Sequence, residues 1–279
     1  MTNIFLNRFQ VKNKDLAAKD KSSERIEELI GQDIKSARET LSSVEEVKYN
    51  DTEITEMLIS QLRLKKSWKE KYGKNIPNLK ETFPEIYDIG LTKWRWEEKP
   101  EFIDDESGIR FSAGFHTDFV EISEFKGVFK VIPDTKFGSF IMTKGSPIGL
   151  IFLFSPYGYD SKFRKVIKLL LPPRDEIRTI QWDDNGLRSI LAEDSATLKG
   201  ISASGIDGDV KVSASSPNLD SRPFSQAVNG GNYYGISYES KKYPGNLVKI
   251  HAKNGSFATD LEESKAIGYF KEVLMKYSI

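Results

Sequence analysis

Cations and aromatics are the side chains in this sequence that sit close enough together to act on a phosphate. Arg63, Lys65, Lys66, Lys69, Lys71 and Lys74 surround Trp68 and Tyr72, with Glu70 the one acid among them. Ammonium and guanidinium groups neutralise phosphates while aromatic faces stack on bases, so the pattern suits a segment that touches DNA or RNA. The same residues also describe a helix with Trp68 in its apolar stripe and lysines on its wet face. A second basic stretch, Lys162, Arg164, Lys165 and Lys168, alternates partly with Phe163 and Val166. That spacing predicts positive charge on one face of a strand, or a strand edge protected by lysine.

Acid chemistry is sparser. Glu239-Ser240-Lys241 follows the predicted strand Tyr233 to Tyr238. This Glu-x-Lys at a strand end resembles the metal-dependent nucleases of the PD-(D/E)xK type. The resemblance implies a hard cation, Mg or Mn, held by acidic groups, with the lysine helping to activate water. An upstream acid is then needed, and Asp220, Asp209 and Asp207 are the candidates. The competing reading is an exposed ion pair beside Lys242. His116 and His251 are the only histidines. His116 shares a strand face with Asp118 by two-residue spacing, which reads as a structural pair. Ser123 and Lys126 have the Ser-x-x-Lys spacing of a nucleophile and base, but no supporting motif accompanies them. Gly200, Gly205 and Gly208 lack dinucleotide-fingerprint spacing, and no Gly-Lys-Ser/Thr loop is present, so nucleotide hydrolysis has no support. Asp207-Gly208-Asp209 and Asp183-Asp184-Asn185-Gly186 read as turns first.

The composition limits what these residues can do together. Lysine plus arginine and aspartate plus glutamate number 41 each, so no global field draws the chain of 279 residues to a polyanion. Any nucleic-acid contact must come from a local patch. Apolar residues at 38% and charged residues at 29% suit a packed globule. The absence of cysteine removes disulfides and thiolate sites and fits a reducing compartment, so the expected location is cytoplasmic. Met1 to Val11 lacks the apolar stretch of a signal peptide. The most apolar run, Ile148 to Phe154, falls far short of the ~20 residues of a membrane helix and reads as a buried strand. No membrane insertion is expected.

Two helices are predicted to position the first basic segment. Ile26, Ile30, Ile34, Ala37, Leu41 and Val44 recur at helical spacing from Ser22 to Val44, with Ser22 or Ser23 as cap. A second stripe, Ile54, Met57, Leu58, Leu62 and Trp68, runs from Asp51 or Thr52 to Tyr72-Gly73. The pair predicts a helical hairpin whose stripes await a cover. Asn75 to Pro100 reads as a connector packed down by Trp94-Arg95-Trp96. Beyond it the period shifts to two at Ile109 to Phe115 and Val128 to Ile132. Ile148 to Phe154 and Val166 to Leu171 look like strands buried on both faces. Leu247 to Thr259 predicts a hairpin with a type I′ turn at Asn254-Gly255. It leads into a final helix capped by Thr259 or Asp260, with Ile267, Phe270, Leu274 and Tyr277 on one face. Ser213 to Gly231 reads as a long loop.

The expected fold is therefore α+β. Residues 1–100 form a charged helical region with an aromatic connector, and residues 101–279 a mainly antiparallel β domain ending in a hairpin and an amphipathic helix. The function this favours is a non-catalytic subunit of a protein or nucleoprotein complex. It would meet a protein partner through the N-terminal helices and DNA or RNA through the basic-aromatic segments, without a cofactor. The alternatives are a metal-dependent nuclease using Asp220, Glu239 and Lys241, and a purely structural scaffold.

Overall fold

A computed structural model describes residues 2–10, 23–105, 108–144, 149–156, 158–171, 176–204, 211–215 and 231–279. The expected loop residues 216–230, and Ser22, Ile148, Pro172-Pro173, Asp207, Asp209 and Asp220, lie outside them.

The first segment, which lacks the apolar stretch of a signal peptide, is strand β1 (Thr2–Gln10). It lies in the middle of a 13-stranded antiparallel sheet. One of its edges pairs with β7 (Gly149–Phe154) and the other with β13 (Ser256–Thr259) and then β8 (Glu176–Thr179). Beyond β13 come β12 (Leu247–His251), β11 (Tyr233–Ser240), β9 (Ser195–Ser204) and β10 (Lys211–Ser215). Beyond β7 come β6 (Val128–Thr143), β5 (Gly108–Phe125), β3 (Thr92–Trp96) and β2 (Glu46–Lys48), with β4 (Glu101–Asp105) also on β5. The mixed α+β class and the antiparallel sheet are as the sequence predicts. A division at about residue 100 would fall between β3 and β5, whose residues Arg95 and Trp96 pair with His116 and Phe115.

Helices cover both faces. Helix α1 (Ser23–Ser43) buries Ile30, Ile34, Ala37 and Leu41 with Trp94, Phe115, Phe140 and Leu153. Helix α6 (Asp160–Leu170) joins the same cluster through Phe163, Val166, Ile167 and Leu170. This corrects the strand predicted at Val166 to Leu171. The buried residues recur at helical spacing, whereas Leu169 inside the apolar run is 61% exposed, so only one side of the segment is buried. On the opposite face, α7 (Asp184–Asp194) and α8 (Glu263–Tyr269) cover Ile4, Leu6, Phe152, Ile250 and Phe257. The chain continues from α8 through a π-turn that buries Phe270, Val273 and Leu274. The expected turn at Asp183 is instead the cap of α7: its carboxylate accepts from Gly186 N at 2.7 Å. The final helix starts one turn later than predicted, with Glu262 as N-cap and no side-chain bond, while Thr259 Oγ1 accepts from Leu261 N in the preceding bend.

The second predicted helix is two, α2 (Asp51–Leu62) and α3 (Lys66–Tyr72). On one straight helix Trp68 would lie about 40° from Ile54 and about 20° from Met57, within the same stripe. The chain breaks at Arg63 to Lys65, and Trp68 still enters the same cluster as Ile54, Leu58 and Leu62. The connector adds α4 (Leu79–Thr82) and α5 (Pro84–Asp88), which pack Leu79, Phe83 and Ile86 on Val120, Ile122 and Val131 of the β5–β6 ribbon. The stripes of α1 and α2 thus enter separate clusters, with β2 between the helices in the chain, rather than covering each other.

The two hairpin turns exchange roles. The β12–β13 hairpin forms as predicted, but His251 pairs with Ser256 across a four-residue loop in which only Gly255 has positive φ, so the turn is not type I′. The type I′ geometry falls at Lys126-Gly127, where Phe125 pairs with Val128 and both turn residues have positive φ (49° and 76°). Gly255 is fixed by close approach instead: a Cβ there would meet Ile180 O at 2.1 Å.

Because Phe5 is 2% exposed on the central strand, Phe5→Ala is expected to cost about 3–5 kcal/mol in urea unfolding. A loss under about 1 kcal/mol would remove β1 from the core.

Candidate functional site

The break after α2 builds a cleft. Leu62 and Ile59 end one wall, the α3 side chains Trp68 and Lys69 form another, and Gly73, Lys74 and Ile76 close it around about 530 Å³, with Arg63 at the rim. Gly73 takes φ 60° as the C-cap of α3, so the chain can reverse there and bring Lys74 and Ile76 back over the opening. Lys66 lies 3.6 Å from Glu70. Among the described residues no carboxylate stands within salt-bridge distance of Arg63, Lys65, Lys69, Lys71 or Lys74. The cleft is therefore cationic with an apolar floor.

Trp68 does not act as predicted. It is 4% exposed, its ring centroid 4.3 Å from Tyr72 and 5.1 Å from Phe129, so it floors the cleft and offers no free face for a base. Tyr72 is half-buried, with Lys71 Nζ 5.2 Å from its ring centroid.

The second basic stretch lies on helix α6 and splits. Arg164 turns inward, donating to Thr179 Oγ1, to Asp160 at 2.9 Å and to Asn254 O at 3.1 Å, which ties α6 to the turn between β12 and β13. Lys162 and Lys165 instead face a second cleft of about 480 Å³ between α6 and α2. Lys162 Nζ is 4.3 Å from the Phe119 ring centroid, and burial, with Lys165 beside it, holds its ammonium below the ordinary lysine range. On the facing side Lys93 pairs with Glu53, which also accepts from Asn50 N at 3.0 Å and is held low by both bonds. Tyr49 between them is pushed up to about 12 by burial, then by Glu53 and Asp118, so its hydroxyl keeps its proton.

Glu239 ends β11, where its carboxylate accepts from Gly245 N at 3.1 Å and lies 3.7 Å from Lys199. Ser240 is fully buried and accepts from Tyr243 N, and the Lys241 amide donates to Asp194 O at 2.6 Å. Asp220 is outside the described residues, among which no three His, Cys, Asp or Glu side chains cluster as metal ligands. The buried acid nearest this corner is Asp194, which accepts from Tyr269 Oη at 2.6 Å and from Lys242 N at 2.9 Å. Tyr269 in turn bonds Tyr238, and burial raises both hydroxyls well above the ordinary tyrosine range. Such a network of protonated phenols around a satisfied carboxylate closes a corner of the core.

The predicted His116–Asp118 pair is not made. His116 Nε2 lies 3.8 Å from Glu97, and Asp118 accepts from Thr92 N (2.9 Å), Thr92 Oγ1 (2.6 Å) and Thr135 Oγ1 (2.7 Å). Burial pulls the Asp118 carboxyl up, but these three bonds outweigh it and hold it below the usual range. Ser123 and Lys126 sit at the exposed hairpin tip, and His251 is lowered by burial and Lys249.

Sequence reasoning found the first cleft through its lysines. It missed the second because Tyr49, Lys93 and Phe119 come from three elements and only helical spacing at 162–169 would have aimed Lys162 and Lys165 together. Among the described residues no helix is long and apolar enough to cross a membrane. The two clefts and the antiparallel sheet define an α+β protein with one cationic surface depression and one of mixed charge. No protein-family model and no curated protein matches the chain.

Asp118→Ala is expected to lower stability by about 2 kcal/mol at neutral pH, since it leaves the two buried donors of Thr92 without an acceptor and removes the partner of the Thr135 hydroxyl. With a folded pKa below the unfolded value of ~3.9, the ionised form's contribution is present above that value and lost as pH falls through the folded one. The gap between wild type and Asp118→Asn in denaturant midpoint should therefore narrow in acid; a gap that widens on acidification would contradict the assignment.

Proposed function

We propose that this protein is a non-catalytic subunit of a protein or nucleoprotein complex that contacts DNA or RNA through the basic cleft behind α2. The observation that carries this is the set of cations without carboxylate partners, Arg63, Lys69 and Lys74, around one apolar-floored cleft in a chain of zero net charge. Local positive charge of this kind neutralises phosphates regardless of base sequence. With Trp68 enclosed, stacking falls to Tyr72, so the contact is chiefly to the backbone.

The protein partner needs a different surface from the helix stripes, which the molecule's own clusters occupy. Phe125, Val128 and Ile132 supply it: they project from one face of the β5–β6 ribbon and are 72%, 69% and 43% exposed. On the other face Ile122 and Val131, which pair with each other, are packed under α2 to α5. This exposed face is the part of the ribbon open to a complex.

A mixed-sequence RNA and the matching DNA oligonucleotide should bind with an affinity that falls steeply with salt. Arg63→Glu, Lys69→Glu and Lys74→Glu together should weaken both, and each lost phosphate contact should reduce the slope of log K against log salt by about 0.7–0.9. Binding that ignores salt, or that survives the triple reversal, overturns the assignment of the cleft. A stable complex recovered without nucleic acid would favour the purely structural reading.

A further inference from the structure

The cleft between α2 and α6 is built differently from the basic one, and its chemistry points to another kind of ligand. Its floor and lip are apolar: Phe119, Met57, Val166 and Leu169, the last 61% exposed at the mouth. The α6 wall carries Lys162 and Lys165, neither with a carboxylate partner among the described residues. The facing wall carries Glu53, already neutralised by Lys93, and Glu56. These two lysines thus stand on one wall and a net single negative charge, that of Glu56, on the other, with apolar surface between them.

A nucleic-acid backbone fits this arrangement poorly, because phosphates following one another past the lysines would run against Glu56 and a Glu53–Lys93 pair that offers no net positive charge. A single negative head on an apolar body fits it well. The volume of about 480 Å³ lies within the range of small-ligand pockets. We propose that this cleft binds a small amphipathic carboxylate, with its head between Lys162 and Lys165 and its apolar body on Phe119, Met57, Val166 and Leu169.

Two further observations favour that orientation. Lys162 Nζ lies over Phe119 and 5.4 Å from the Tyr159 ring centroid, so its charge is partly stripped of water, and an arriving anion restores what burial removed. The Tyr49 hydroxyl, which keeps its proton, lines the same cleft and adds no negative charge to the wall facing the lysines. The site is independent of the nucleic-acid reading: none of its lining residues lines the basic cleft.

The probes are decanoate, propionate, which has the head without the body, and decyltrimethylammonium, which has the body with the opposite charge. Calorimetric titration of the full chain should show saturable one-to-one binding of decanoate with a Kd below about 1 mM, and at least roughly tenfold weaker binding of the other two. Lys162→Gln with Lys165→Gln, both at exposed positions, should weaken decanoate by about tenfold or more, and Leu169→Glu should do the same from the apolar side. In the unaltered protein, decanoate but not propionate should protect Lys162 from reductive methylation. Absence of saturable binding, equal affinity for the three probes, or affinity unchanged in the lysine variant would overturn the proposal. So would unprotected Lys162 at saturating decanoate.

Discussion

Strand β1 is the member on which the other elements depend. It is hydrogen-bonded along both edges, to β7 on one side and to β13 and β8 on the other. Its side chains alternate, so Ile4 and Leu6 enter the cluster under α7 and α8 while Phe5 enters the one under α1 and α6. Nine residues thereby join the two halves of the sheet and both of its cores. Elements that contact no part of β1, such as α2 and α3, reach the same body through the long ribbon of β5 and β6.

This arrangement explains which features were legible in the sequence. Periodicity located α1, α2, the Ile109 to Phe115 part of the strand Gly108–Phe125, and the strand Gly149–Phe154, because each buries one face or both faces in a regular pattern, and the Asn254-Gly255 pair located the β12–β13 hairpin. It failed on α6, where Leu169, Leu170 and Leu171 together mimic a strand buried on both sides although Leu169 is at a cleft mouth. It failed on β1 because Asn7, at 1% exposure, interrupts the apolar run in a position that is itself buried. Turn chemistry misled in a similar way. Asn254-Gly255 has the stronger local preference, yet β1 and Ile180 press on Gly255, and contacts from distant residues decide its loop.

The site residues follow the same rule. The lysines around α3 were visible because they are neighbours in the chain, but the role of Trp68 was set by Tyr72, Phe83 and Phe129 closing over it. Arg164 looked like its basic neighbours and differs only because its helix places it against Thr179 and Asn254. A chain with equal numbers of acidic and basic residues can still hold distinct electrostatic surfaces when the fold sorts them. Here one cleft gathers cations alone, and the other sets lysines against glutamates across apolar ground.

The pairing of β1 with β13 also has a consequence for biosynthesis. Thr2 meets Thr259, so that part of the β1 edge waits until about 250 further residues have been made. At ribosomal rates of about 5–20 residues per second the intervening stretch of about 250 residues takes roughly 12–50 s. Until then the Thr2 to Phe5 part of that edge has no strand partner, and an unpaired strand edge is a place where nascent chains associate wrongly.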